Sequence, residues 1–120
     1  MKRILLVDDA ETILMMEKMI LADHYDVVTA ANGQEAVQKT LSDKPDLVLM
    51  DVMMPKMTGI EACRALQKNP ATSGTPVIIV TTRSDSQSVQ EALLAGCIDY
   101  VTKPVDGVEL LAKVRNVLGE

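Results

Sequence analysis

The segment Leu47-Val48-Leu49-Met50-Asp51, followed by Val52-Met53-Met54-Pro55, carries the strongest structural signal in the chain. Four consecutive apolar residues predict a short strand that is buried on both faces, as in a parallel sheet. This strand ends in a single carboxylate, Asp51. Because an isolated ionised carboxylate beside an apolar layer is costly, Asp51 must be solvated at the rim of the sheet, hydrogen-bonded, or close to a cation.

Four other segments also have the apolar character of strands. One of them, residues 26–31, is more polar than the rest, which favours a position at the edge of a sheet. The predicted strands are residues 4–7, 26–31, 47–51, 77–80 and 97–101.

A helical pattern follows each predicted strand. Residues 10–22 and residues 34–41 are predicted as the first two helices, and the first has an apolar face that includes Met16 and Met19. Each of the last three helices has an apolar stripe: Ile60, Cys63 and Leu66 in the third, Val89, Ala92 and Leu93 in the fourth, and Leu110, Val114 and Val117 in the fifth.

The alternation of strands and helices predicts an α/β fold. We expect a (βα)5 doubly wound, five-stranded parallel sheet with right-handed crossovers and helices on both faces. A length of 120 residues predicts a single domain over residues 1–120. Ligands bind such sheets at the carboxyl ends of the strands.

Composition excludes several classes of function. The net charge is −5 and the basic residues are scattered, which argues against direct binding to nucleic acid or to an anionic membrane. The chain has no Phe and no Trp, so it has little to offer for base stacking. We see no signal peptide or transmembrane segment, and we expect a cytoplasmic protein with Cys63 and Cys97 as reduced core thiols.

Five polar side chains stand at the carboxyl ends of predicted strands: Asp8, Asp9, Asp51, Thr81 and Lys103. They are expected to converge on one site. Three neighbouring carboxylates need either raised pKa values or a bound cation, and oxygen ligands without His or Cys favour Mg²⁺. A carboxylate can attack phosphorus to form an aspartyl phosphate. Lys103 and Thr81 are suited to contact phosphoryl oxygens, through an ammonium and a hydroxyl donor respectively.

Several of these residues, and Tyr100 in the predicted fifth strand, also have a purely structural interpretation. Asp9 can cap the first helix. Lys103 can be a solvated surface residue, and Thr81 a β-branched residue of its strand. Tyr100 can serve in packing, with its hydroxyl at the rim.

Taken together, the motifs resemble those of the receiver domains of two-component response regulators, over essentially the whole chain. The motifs that carry the resemblance are Asp8-Asp9, Asp51 with Met54-Pro55-x-Met57-x-Gly59, Thr81, residues 95–100, and Lys103-Pro104. The resemblance implies the strand order 2-1-3-4-5 and makes Asp51 the phosphoacceptor. It also implies an Mg²⁺ site, with Mn²⁺ as a possible substitute, formed by Asp8, Asp9, Asp51 and the backbone carbonyl of Met53.

The resemblance assigns further roles around that site. Lys103 and Thr81 are expected to contact the phosphoryl group, and Thr81 and Tyr100 to form a switch pair. Met53 and Arg83 stand at positions whose side chains influence the lifetime of the phosphoryl group in this family.

The implied function is a phosphorylation-activated signalling switch and not an enzyme with an external substrate. The expected partners are a sensor histidine kinase or phosphotransfer protein, and a downstream effector or second copy that docks on the fourth helix, fifth strand and fifth helix. The alternative is an Mg²⁺-dependent phosphatase using the same aspartyl chemistry, which calls for a second Asp where Met53 stands. A flavodoxin-like cofactor site is disfavoured, because Asp8 and Asp9 occupy the place of its phosphate loop.

Overall fold

The structure, a computed structural model, describes residues 1–82 and 86–120. Within these residues the strands are β1 (Arg3–Val7), β2 (Asp26–Ala30), β3 (Leu47–Asp51), β4 (Val77–Thr82) and β5 (Asp99–Lys103). The helices are α1 (Glu11–Leu21), α2 (Gly33–Asp43), α3 (Gly59–Lys68), α4 (Ser86–Leu94) and α5 (Gly107–Leu118). None of the described helices has the length and apolar character needed to cross a bilayer.

The strands form one parallel sheet in the order β2-β1-β3-β4-β5. This topology confirms the predicted fold class and strand order. One apolar cluster joins the sheet to α2, α3 and α4, and a second joins its opposite face to α1 and α5. The chain leaves β1 for β2 and then returns to β3 on the other side of β1. The carboxyl ends of β1 and β3 therefore flank the point where ligands bind in such sheets.

The central strand β3 is buried along its whole length. Leu47 and Leu49 belong to the cluster under α1 and α5, whereas Val48 and Met50 belong to the opposite cluster. This alternation confirms the prediction of a strand buried on both faces. It also carries Asp51 to the carboxyl edge of the sheet.

The last strand begins two residues later than predicted. Cys97 still belongs to the turn that closes α4, where its N–H donates to the carbonyl of Ala92 at 3.0 Å. Gly96 makes this turn possible with a φ of 109°. Pairing with β4 then starts at Asp99, opposite Ile78. The predicted start at residue 97 is therefore wrong, because Cys97 packs into the core from a turn and not from a strand.

The inward face of α1 also differs from the prediction. Met19 is 80% exposed, whereas Leu21 is buried and Glu17 is only 1% exposed. Apolar spacing favoured Met19 over a charged residue, yet the helix turns Glu17 toward the sheet. The buried face of α1 therefore contains an acid that hydrophobic periodicity does not identify.

The two cysteines confirm the prediction of core thiols. Cys63 of α3 and Cys97 are both free and buried. Their sulfur atoms lie 2.8 Å apart, so these thiols connect α3 to the turn before β5.

The start of α3 fixes the backbone of the loop after β3. Thr58 and Glu61 form a capping box at this helix terminus, and the Gly59 N–H donates to the carbonyl of Val52 at 2.9 Å. A Cβ on Gly59 would lie 2.1 Å from the carbonyl oxygen of Asp51. Glycine is therefore required for the helix to approach the end of β3 so closely.

We predict that Gly59→Ala lowers the free energy of unfolding by about 1–3 kcal/mol, because the new methyl group forces helix and strand apart. Urea denaturation measures the change. Gly74→Ala is the matched control, since a Cβ there meets no heavy atom within 4 Å. Equal stability of the two variants would contradict the close packing described for Gly59.

Candidate functional site

One cavity of about 190 Å³ lies at the carboxyl edge of the sheet. The five polar residues predicted to converge all line it: Asp8, Asp9, Asp51, Thr81 and Lys103. Asp8 and Asp9 follow β1, and the other three come from the ends of β3, β4 and β5. The parallel sheet brings them together because all of its strands point the same way.

Three carboxylates form the acidic side of this cavity. Asp8, Asp9 and Asp51 each offer an oxygen atom, and these atoms lie within 4.8 Å of one another. Asp8 is buried and Asp51 is 4% exposed, whereas Asp9 is open to solvent. Repulsion among such close carboxylates has to be offset by a cation or by protonation.

Asp8 and Asp9 differ in their contacts with the backbone. Asp8 Oδ1 accepts a hydrogen bond from the N–H of Ala10 at 2.9 Å. The N-cap of α1 is Ala10, and no side chain caps it. The interpretation of Asp9 as a helix cap is therefore wrong. Asp9 lines the cavity instead.

Lys103 supplies the positive charge. Its Nζ donates to Asp51 Oδ1 at 2.9 Å and lies 3.8 Å from Asp8 Oδ2. Burial lowers the pKa of Lys103, but the hydrogen bond and the charge of Asp51 outweigh it and raise that pKa overall. In contrast, burial raises the pKa of Asp8. The ammonium therefore stays charged and holds Asp51 in place.

Two buried oxygen atoms that line the cavity, Asp8 Oδ2 and Thr81 Oγ1, have no hydrogen-bond partner among the described residues. Such atoms are uncommon in folded proteins, and they suit a site that binds a further group. Among residues 1–82 and 86–120, the group that could hold a metal ion here is Asp8, Asp9 and Asp51, which offers carboxylate oxygens and no His or Cys. This set fits Mg²⁺, which prefers oxygen ligands.

Thr81 and Tyr100 lie on neighbouring strands. Tyr100 pairs with Ile79 in the β4–β5 register, so Tyr100 and Thr81 point to the same face of the sheet, two residues apart along the strands. Tyr100 is 37% exposed and lies at the edge of the sheet. The structure thus places the predicted switch pair on one face, within reach of a change in side-chain conformation.

Of the two residues that the resemblance links to phosphoryl lifetime, Met53 and Arg83, the structure describes only Met53. Met53 lines the cavity and is 70% exposed, so its side chain stands at the entrance. Arg83 lies outside the described residues, and its predicted role stays a prediction.

Glu17 is a buried acid near the site that the sequence pattern did not predict. Strand alternation directs Asp8, Asp51 and Lys103 toward the face covered by α1, from which Glu17 points inward. Burial and then repulsion from Asp8 raise the pKa of Glu17 to about 8. None of the described residues hydrogen-bonds to its Oε2. Its spacing could have indicated this burial, because Glu17 lies four residues after Ile13 and four before Leu21, on the same face of the helix.

The chain is similar to known proteins of one family. The family model for the response regulator receiver domain matches residues 4–115. Protein PilH of Pseudomonas aeruginosa is 42% identical over 119 residues, which cover 98% of each chain. Response regulator PleD of Caulobacter vibrioides is 40% identical over 116 residues, or 96% of this chain, but this match spans only 26% of PleD.

A solved structure shows the same similarity in three dimensions. The crystal structure of a putative response regulator from Chloroflexus aurantiacus superposes with a TM-score of 0.94 at 32% identity. The superposition covers 99% of this chain and 98% of that chain.

We predict that Glu17→Leu stabilises the protein increasingly as the pH rises, when unfolding is measured in a chelator. Below the ordinary pKa of 4.5, Glu17 is protonated in both the folded and the unfolded chain and carries no penalty. Between 4.5 and about 8 the unfolded chain releases the proton while the folded chain keeps it. Native stability then falls by roughly 1.4 kcal/mol for each pH unit.

The matched control for this prediction is Glu11→Leu, because Glu11 lies on the exposed side of the same helix. Urea denaturation at pH 5 and at pH 8 gives the comparison. A stability gain for Glu17→Leu that is the same at both pH values would show that the carboxyl does not titrate as described.

Proposed function

The chain belongs to the response regulator receiver domain family, and we propose that it acts as a phosphorylation-activated switch in two-component signalling. Receiver domains of this family interact with histidine kinases and downstream effectors, and they generally bind Mg²⁺ through acidic residues. The observation that carries the proposal is the position of Asp51. Its carboxylate ends a buried strand and is held by Lys103 between two further carboxylates.

Asp51 is the proposed phosphoacceptor. One of its carboxylate oxygens attacks the phosphorus of a phosphohistidine on the partner, forming an acyl phosphate. The P–N bond breaks, and its electron pair returns to the imidazole nitrogen, which takes a proton from solvent. Catalysis of such a transfer consists largely of positioning and charge neutralisation. Lys103 supports both, because its ammonium already contacts Asp51 at 2.9 Å.

Asp8, Asp9, Asp51 and the backbone carbonyl of Met53 are the proposed Mg²⁺ ligands, and Mn²⁺ shares their ligand preference. When bound, the ion supplies positive charge for the carboxylates and the phosphoryl oxygens. Two observations support this assignment: the three carboxylates approach one another closely, and Asp8 Oδ2 accepts no hydrogen bond from the described residues.

Thr81 and Tyr100 are proposed to transmit the effect of Asp51 phosphorylation to the surface of the domain. The hydroxyl of Thr81, which has no hydrogen-bond partner within the described part of the chain, can donate to a phosphoryl oxygen on Asp51. Movement of Thr81 toward that group opens space on the same face for the Tyr100 ring to turn inward. The surface formed by α4, β5 and α5 then changes, and a downstream effector or a second copy docks there.

The phosphoryl donor is proposed to be a sensor histidine kinase or a phosphotransfer protein, with no direct contact to nucleic acid or membrane. Catalysis by the chain is confined to its own phosphorylation and dephosphorylation. A phosphatase acting on an external substrate needs a proton donor two residues after Asp51, where the thioether of Met53 stands. The free, buried Cys63 and Cys97 support a reducing compartment, the cytoplasm.

We predict that incubation with phosphoramidate and Mg²⁺ adds one phosphoryl group to the native chain and none to Asp51→Asn. Phosphoramidate is a suitable donor because its P–N bond resembles that of phosphohistidine. Intact-mass measurement detects the adduct, and a chelator is expected to prevent it. Asp23→Asn, in an exposed turn, is the control and keeps the native yield. Phosphorylation of Asp51→Asn at the native rate would refute the acceptor assignment.

We also predict that Mg²⁺ stabilises the fold, because it relieves repulsion among the three carboxylates. At a concentration of about 100 times the dissociation constant, the gain in unfolding free energy is about 2.7 kcal/mol. Asp9→Asn is expected to lose most of this gain and Asp23→Asn to keep it. Thermal unfolding at matched ionic strength measures the effect, and an equal response of Asp9→Asn and the native chain would exclude Asp9 as a ligand.

A further inference from the structure

Lys113 of α5 lies over the ring of Tyr100. Its Nζ is 4.7 Å from the ring centroid, a distance at which an ammonium is attracted to the face of an aromatic ring. The same ammonium donates to the backbone carbonyl of Tyr100 and, at 3.3 Å, to Asp99 Oδ1. Lys113 is therefore held against β5 by contacts other than the ring itself.

The contact between Lys113 and Tyr100 joins opposite faces of the sheet. α5 packs on the face of the sheet that contains Val101, whereas Tyr100 points to the opposite face. Lys113 reaches Tyr100 around β5, which is an edge strand with no further strand beyond it among the described residues. The free edge therefore gives the ammonium access to the ring, and the ammonium in turn satisfies a carbonyl on that edge.

We propose that Lys113 is a positioning residue that holds the Tyr100 ring in its outward conformation and so sets the resting balance of the switch. The inference rests on the proposed function, in which Tyr100 turns inward after phosphorylation of Asp51. It adds a specific restraint that this movement has to overcome.

The contacts of Lys113 explain why the restraint acts on the ring alone. Asp99, the Tyr100 carbonyl and Glu109, whose Oε1 lies 3.8 Å from Nζ, keep the ammonium at the edge of β5. When the ring turns toward Thr81, the ammonium stays at the edge of β5. The attraction between the ammonium and the face of the ring is then lost. An exposed contact of this type changes a conformational equilibrium about two- to five-fold.

The test uses the composition of the chain, which has two tyrosines and no tryptophan. Incorporation of 3-fluorotyrosine gives one fluorine resonance for Tyr100 and one for Tyr25. Tyr25 is buried and its hydroxyl donates to Glu120 at 2.7 Å, so its resonance is an internal reference for folding. Relaxation by a soluble nitroxide reports the exposure of each ring, before and after phosphorylation.

Lys113→Met is expected to lower the ratio of outward to inward Tyr100 about two- to five-fold in the unphosphorylated protein. Lys113→Arg keeps a cation at this position and is expected to stay close to the native ratio. Lys18→Met, at an exposed lysine of α1, is the control for removal of a surface charge. An unchanged Tyr25 resonance verifies that each variant is folded.

The inference is overturned if Tyr100 exposure in Lys113→Met equals that of the native chain, or if Lys113→Arg shifts it as much as Lys113→Met does. It is also overturned if Tyr100 exposure stays constant while intact mass shows a phosphoryl group on Asp51, because there is then no movement to restrain. Failure of the proposed function is distinguishable from these results. If the proposed function is wrong, intact-mass measurement shows that the native chain takes up no phosphoryl group.

Discussion

The ion pair between Lys103 and Asp51 is the contact on which the site depends. It joins the last residue of β5 to the last residue of β3, across the intervening β4. Without the ammonium, the buried carboxylates of Asp8 and Asp51 would repel each other with little solvent to screen them, and the exposed Asp9 lies beside both. The same ammonium holds the Asp51 carboxylate, which accepts the phosphoryl group in the proposed function. One contact thus stabilises the resting site and prepares its chemistry.

Negative charge is concentrated at this edge of the sheet at the expense of stability. Asp8 and Glu17 are both buried, and burial raises both pKa values. A protonated Glu17 avoids a further negative charge near the carboxylates, while its buried Oε2 forms no hydrogen bond with the rest of the described chain. Local destabilisation of this kind is common where a site has to bind a cation or a charged group.

The sequence predicted the sheet and the convergence of the site because both follow from simple regularities. Runs of apolar residues identify buried strands, and parallel strands bring their carboxyl ends to one edge, where Asp8, Asp51 and Lys103 meet. Glu17 was missed because periodicity gives apolar residues, such as Met19, the inward positions and treats an acid as exposed. The start of β5 was misplaced because Cys97 is as apolar as a strand residue. Lys113 was missed because its contact with Tyr100 crosses an edge of the sheet, which local spacing does not encode.

The strand order also determines when the site becomes complete during synthesis of the chain. β2, β1 and β3 are neighbours, so the first 51 residues contain every strand needed to assemble this part of the sheet, together with all three carboxylates of the cluster. Lys103 is made 52 residues after Asp51. A nascent chain that stops before β5 therefore presents three carboxylates without the ammonium of Lys103, and docking of β5 offsets one of these negative charges. In this protein β5 completes the described sheet and brings the ammonium of Lys103 to the acidic cluster in the same step.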